Sequence, residues 1–429
     1  MRKRTVFLWT SAAVIVVALA LFTARHWTPS ARFRRALNAA EEAGIPVRAH
    51  ADGPVTNDPQ ATARMASAIA LATRAAENAD VSWEGSPLGK SSSAMVELRR
   101  LMLDSLESEG NAFAEQAFFS SAEAMARQSY RWYQLRNAVK DLAFADVRTG
   151  ELRIAHLWPL LLLEIGRAYD NCESPDVFCV GRCNAAADAK ELAEALLMHT
   201  RLTEPQLLSL QEAFRREHRD LSARDAFERF TQQVARTTQT GILGIGGWNK
   251  IRARAASVEA AVNAFDLSLQ PPWVQYRFTE QWSMDDTKRL SEAALQGKTG
   301  GVRFVQVSYA EWFAGVIRRC VETKAALCLA QVACCVERYK LKLNRWPEEL
   351  GQLVPGWLDE LPVDPTTGAQ LKYATGDFGA VLWAGTEPDI SSWGIGGLRD
   401  LANMEMESWW AFVLFDERCT QGRPSGDGD

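Results

Sequence analysis

A chain of 429 residues, 47% of them apolar, has the material for two or three packed domains and does not read as a disordered chain. Its formal charge is −5, and because residues 1–35 hold seven Lys/Arg and no acid, the remainder stands at −12. An acidic body of this kind lacks the clustered cations that neutralise phosphates, which argues against a nucleic-acid partner.

The first element is Thr5 to Ala24, which carries no charge and includes Val6-Phe7-Leu8-Trp9 and the run Val14 to Leu19. Twenty helical residues reach about 30 Å, one bilayer core, so the segment predicts a transmembrane helix over residues 1–28. Arg2, Lys3 and Arg4 precede it and place the amino terminus in the cytoplasm. Arg25, Arg32, Arg34 and Arg35 follow it and weigh the other way. The triplet Ala18-Leu19-Ala20 could be cut by a signal peptidase, but Leu21 and Phe22 extend the apolar run and favour an uncleaved anchor. The expected topology is a single-pass inner-membrane protein with the bulk of the chain outside the cytoplasm. Arg32-Phe33-Arg34-Arg35 reads as a solvated first turn beyond the membrane.

Helix signals then dominate to residue 343. Ser30 caps a run that stops at Gly44, and Asp58-Pro59 supplies a cap and a first-turn proline for Gln60 to Ala79. Further helices are expected over Met95 to Leu106, Phe113 to Phe144 and Leu152 to Tyr169. Cys172, Cys179 and Cys183 bracket Glu173-Ser174-Pro175-Asp176, which has the composition of a loop. Outside the cytoplasm two of these three thiols could join in a disulfide, worth about 2–3 kcal/mol for so short a loop; reduced thiols are the alternative. A zinc site would need a fourth ligand, and the nearest histidines are His156 and His199. No metal and no cofactor is expected.

Ala185 to Met198 is the next helix, followed by a capping box at Thr203-Glu204-Pro205-Gln206 with Leu207, Leu208, Leu210 and Phe214 behind it. Ser222 and Asp225 open another through Phe227, Phe230 and Val234. Gly241 to Gly247 lacks the Lys-Ser/Thr of a phosphate loop and reads as a helix–helix junction before Ile251 to Leu267. The longest periodic run is Val307 to Leu343, with Trp312, Phe313, Val316, Ile317, Cys320, Leu327, Cys328, Val332, Cys335, Val336 and Tyr339 on one face. Arg318, Arg319, Glu322, Lys324 and Arg338 occupy the other. Pro347 starts a short helix through Leu350 and Leu353. Asp364-Pro365-Thr366-Thr367-Gly368 is a turn, because Asp accepts a backbone bond, Pro fixes φ and Gly admits a positive φ. Gln370 to Tyr373 and Ala380 to Trp383 are strand-like, and Trp409 to Phe415 is expected to pack as a strand or dock on the helical body.

The order Tyr339-Lys340, Asn344-Arg345-Trp346-Pro347, Leu350, Leu353, Leu361-Pro362, Asp364-Pro365, Gly368 and Tyr373 resembles the C-terminal half of the major pseudopilin of type II secretion systems. It also resembles the tail of large membrane-anchored proteins of planctomycete-type bacteria. The resemblance covers about 60 residues of the chain and implies a small α+β head at the envelope. No prepilin-peptidase site follows Arg4, so polymerisation into a pseudopilus is not implied. The calcium loop of the family is reduced to Glu387 and Asp389, so calcium binding is not implied either.

The expected fold is therefore mainly α: an N-terminal transmembrane helix over 1–28, a multi-helix bundle or solenoid-like body over 29–300, a long helix plus pseudopilin-like α+β module over 301–397, and a tail over 398–429. Neither a Gly-x-Ser-x-Gly elbow nor a His-Glu-x-x-His pair is present, and nothing nominates His156 or His218 as catalytic. The favoured function is a non-enzymatic scaffold with an envelope protein partner of secretion or pilus type. Two alternatives remain: an envelope hydrolase using Glu164 and Asp170, and a ligand-sensing domain using the tryptophan-rich second half.

Overall fold

The computed structural model describes residues 31–45, 122–149, 155–169, 175–239, 247–282, 301–376, 379–385 and 411–415, with positions 97 and 100. Of these residues 72% are helical, and one three-stranded sheet completes the architecture. Helix α1 covers 31–42 and stops where Gly44 takes φ 79°. After it come α2 (Ala122–Thr149), α3 (Leu157–Ala168), α4 (Pro175–His199) and α5 (Glu204–Asp220). Helices α6 (Ala223–Gln239), α7 (Gly247–Ser268), α8 (Pro272–Trp282) and α9 (Gly301–Leu343) follow. A 3₁₀ turn at Leu350–Leu353 leads to β1 (Lys372–Gly376), β2 (Gly379–Trp383) and β3 (Ala411–Phe415).

The chain forms two compact units, both discontinuous in sequence. One gathers Met1–Ala51, Arg224–Gln270 and Phe278–Gly315; the other gathers Asp52–Ala223, Pro271–Arg277 and Val316–Asp429. In the first, Phe313 meets Phe227 and Phe230 edge-on at 5.0 and 5.2 Å between centroids, and Trp312 lies 5.5 Å from Phe230. Aromatic packing of this kind adds about 0.5–1.5 kcal/mol per pair to plain burial. Arg32 on α1 grips Glu259 on α7 through two bonds of 2.9 and 2.7 Å.

In the second unit α4 is the centre, packing against α2, α3 and β3. Helix α3 is a buried apolar rod: Trp158, Leu161, Leu162 and Ile165 have no exposed surface. The one polar atom of the Trp158 side chain, Nε1, donates to Asp146 on α2 at 2.9 Å, satisfying a group that burial would otherwise penalise by about 1–3 kcal/mol. Gly181 lets α4 approach the end of α3, because a Cβ there would stand 2.2 Å from the Tyr169 ring. Along α9 the stretch from Ala325 to Val336 is buried on every side. The alanines and cysteines of this segment keep its radius small, so neighbours close round it; the expected polar face is confined to Arg318, Glu322 and the ends.

The sheet is antiparallel in the order β1-β2-β3, with Tyr373 opposite Leu382 and Leu382 opposite Phe412. Two expectations need correction. Pro175 and Asp176, expected in a loop, open α4, the helix that carries Cys179 and Cys183: proline is at home in a first helical turn, and the apolar periodicity carries on from there. Helix α8 was not expected, since its aromatic residues hide its period. The segments Gln60 to Ala79 and Thr5 to Ala24 lie outside the described residues, as does Met95 to Leu106 apart from positions 97 and 100. Among the described residues no helix is long and apolar enough to cross a membrane.

Candidate functional site

Among the described residues a buried cluster of charge lies inside the second unit, where α3, α4, α5 and α9 meet. Glu217 continues the apolar stripe of α5, three residues after Phe214, and its side chain is only 1% exposed. An isolated carboxylate there would be costly to bury, so both oxygens are taken. Arg182 Nε on α4 donates to Oε1 at 2.6 Å, and Arg167 Nε on α3 donates to Oε2 at 3.0 Å. Arg167 turns a second nitrogen to Glu164 at 3.0 Å and stands 4.0 Å from Asp220. One guanidinium thus bridges Glu164 and Glu217, and the two carboxylates do not face each other across an open space.

Lys324 of α9 reaches the same interior and donates to the His218 carbonyl at 2.7 Å. Burial pushes its ammonium below the ordinary lysine range. Burial, and then the neighbouring Lys324, push the His218 imidazole down to about 4, so the ring is neutral near pH 7. Burial raises the Glu164 carboxyl, against the pull of Arg167, Arg216 and Arg182, while Glu217 pushes the same way as burial. Glu164 Oε2 and His218 Nε2 are buried and make no hydrogen bond. Arg319 also bonds Asn184 on α4.

A second polar centre organises the module after α9. Asp364 is 2% exposed and accepts four bonds: from Thr366 N and Oγ1 at 2.8 Å, Thr367 Oγ1 at 2.7 Å and Gly385 N at 2.8 Å. The last ties the turn to the end of the hairpin. Gly368 takes φ 77°, and a Cβ there would meet the Trp273 ring at 2.8 Å, so α8 covers the turn. Asn344 takes φ 54°, the left-handed conformation that asparagine tolerates. A third centre, Lys190, is 2% exposed; it bonds Glu194 at 2.7 Å and the Ala411 carbonyl at 2.6 Å, with the Phe412 ring 5.3 Å away. It fixes β3 to α4.

Of the residues singled out in the sequence, Cys172 and Asp170 lie outside the described residues, as does the side chain of Cys179. Cys183 is buried on α4. His156 precedes α3 and faces Gln206 through Nδ1 at 3.0 Å. His199 ends α4, and its side chain is outside the described residues. Among the described residues no three His, Cys, Asp or Glu side chains group as a metal site would require. The thiols of Cys328, Cys334 and Cys335 are buried and form no disulfide, and burial holds Cys335 up at about 12. Trp158 packs in the core, Trp273 on the turn, Trp312 in the aromatic cluster and Trp357 at 4.8 Å from Tyr339, while the indole nitrogens of Trp346 and Trp383 are buried without a hydrogen bond.

Glu217, Arg182, Lys190 and Lys324 were missed as a group. Glu217 was detectable, being a charge at the fourth place of the stripe Leu207, Leu210, Phe214; the others carry no such mark. No family model, curated protein or solved structure matches this chain.

Proposed function

We propose that this chain is a non-enzymatic scaffold of a bacterial envelope. Thr5 to Ala24 anchors it in the inner membrane, the amino terminus is cytoplasmic, and the helical body presents a pseudopilin-like module to a partner of secretion or pilus type. The observation that carries the reading is the construction of residues 339–385. The left-handed Asn344, the 3₁₀ turn with Leu350 and Leu353 buried, the Asp364-centred turn and the hairpin occur in the order the resemblance assigns them. The interior charges give secondary support, since Glu217, Lys190 and Asp364 are taken up in joining helices, strand and turn. Alkaline carbonate extraction tests the anchor: the full chain stays in the membrane pellet, and release into the supernatant would sink the reading. Site-specific photocrosslinking from position 359 tests the scaffold role, with an adduct to a secretion- or pilus-type envelope component expected.

One observation favours the hydrolase alternative. Glu164 combines a carboxyl raised by burial with an unbonded oxygen, as a general acid requires. Turnover of a glycan or peptide substrate that Glu164→Gln abolishes, with the fold intact, would establish it.

A further inference from the structure

The capping box that opens α5 shares a side chain with a histidine. Gln206 Oε1 accepts from Thr203 N at 2.9 Å and from Thr203 Oγ1 at 3.0 Å, and its Nε2 stands 3.0 Å from His156 Nδ1. The backbone N–H of Thr203 can only donate, so the amide oxygen must face it and the amide –NH2 must face the ring. His156 Nδ1 is therefore a bare lone pair, and the ring proton sits on Nε2. The ring is partly buried, so water reaches it, and burial lowers its pKa below the ordinary histidine value. Leu202 and Leu207 are buried on either side of the cap, a hydrophobic staple that does not involve the ring.

From this geometry we infer that His156 and Gln206 form an acid-operated latch on the first turn of α5. A proton taken up at Nδ1 replaces the lone pair by a second donor, aimed at the amide –NH2. Turning the amide over satisfies the ring but sets –NH2 against the Thr203 N–H, which returns to being an orphan donor of the helix start. The bond from an imidazolium is charge-assisted and stronger than the neutral one at Thr203, so the ring takes the oxygen and the cap opens. What loosens is the Thr203–Glu204 turn, and with it the 3.4 Å pair of Glu204 with Arg338 on α9. The effect stays local, because the staple remains and Gln211 still binds both Arg338 and the Trp357 carbonyl. Acids on the helices packed against α3 have partners of their own: Asp146 of α2 accepts from Trp158 at 2.9 Å, and Glu194 of α4 from Lys190 at 2.7 Å. On α3 itself Glu164 and Arg167 pair at 3.0 Å. Arg201 is exposed, and His199, the last residue of α4, is the titratable group to be separated from His156.

The test follows amide hydrogen exchange of residues 203–207 in the full chain in mild detergent, corrected for the intrinsic pH dependence of exchange. The two conditions are about pH 7.5 and about pH 5, the lower still above the value of about 4 at which His218 titrates. Protection of these amides is expected to fall about fivefold in the acid condition, the loss of one helix cap. His156→Gln offers the same acceptor without titrating and should hold the parent protection at both pH values, whereas His199→Gln should respond like the parent. Gln206→Glu gives both the Thr203 N–H and the imidazolium an acceptor, so protection should persist in acid and the His156 ring should titrate at higher pH than in the parent. Parent protection that does not change with pH would overturn the inference, as would a response that survives His156→Gln or vanishes in His199→Gln. A Gln206→Glu chain that leaves the His156 titration where it was would overturn it too.

Discussion

Replacing Glu217 by glutamine keeps the shape of the side chain and removes one charge from the interior. Arg182, whose side chain is 3% exposed, then loses the carboxylate charge to which it donates at 2.6 Å, and Arg167 retains Glu164. Breaking a buried pair from one side destabilises by about 3–5 kcal/mol, because the surviving charge stays desolvated. Each kcal/mol lowers the melting temperature of a domain this large by about 2–4 °C, so the midpoint should fall on the order of 10 °C. Circular dichroism melting in mild detergent reads the shift, and a urea titration gives the free energy. Arg182→Gln combined with Glu217→Gln should recover part of the loss, with a coupling of about 2–3 kcal/mol in the double-mutant cycle. If Glu217→Gln melted within a degree of the parent, or the two losses simply added, the network would not be the keystone of the helical body.

Stability should also fall in acid. His218 is held down at about 4 in the folded chain against an ordinary 6.5, so its contribution is complete above pH 6.5 and disappears as pH drops through 4, about 3 kcal/mol in all. His218→Asn should flatten the stability profile between those two pH values, whereas an unchanged profile would show the ring is not buried. Gly368→Ala should destabilise the module by about 1–3 kcal/mol, since it adds a strained φ to a contact at 2.8 Å with the Trp273 ring. Urea unfolding followed by tryptophan fluorescence would measure it. Lys190→Met should release β3 from α4, and limited proteolysis should then cut near residue 410 faster than in the parent; equal rates would contradict the role assigned to the Ala411 contact.

Periodicity made most helices readable. The stripe Leu207, Leu210, Phe214 and the capping box at Thr203 gave the start of α5, and the Asp364 turn was written in its own Asp-Pro-Thr-Thr-Gly. The start of α4 was obscured because Glu173 to Asp176 has the composition of a loop while Pro175 serves as the first helical residue. The enclosure of α9 between Ala325 and Val336 was also hidden, since a helix pattern shows which residues are apolar but not how many neighbours surround it. The charge network was the least readable part. Arg167, Arg182, Glu217 and Lys324 come from four helices, and only the packing brings them together. Trp273 and Gly368 lie nearly a hundred positions apart, and their contact has no local signal.

The most direct test of the envelope account is the side of the membrane on which the module stands. Asp359, whose side chain is 92% exposed, forms only a surface pair with Arg215, so Asp359→Cys should fold normally. Intact cells expressing it are treated with a membrane-impermeant maleimide, with the parent chain as background. The account expects position 359 to be labelled as fully in intact cells as in lysed ones. Labelling that appears only after lysis would place the module in the cytoplasm and contradict it.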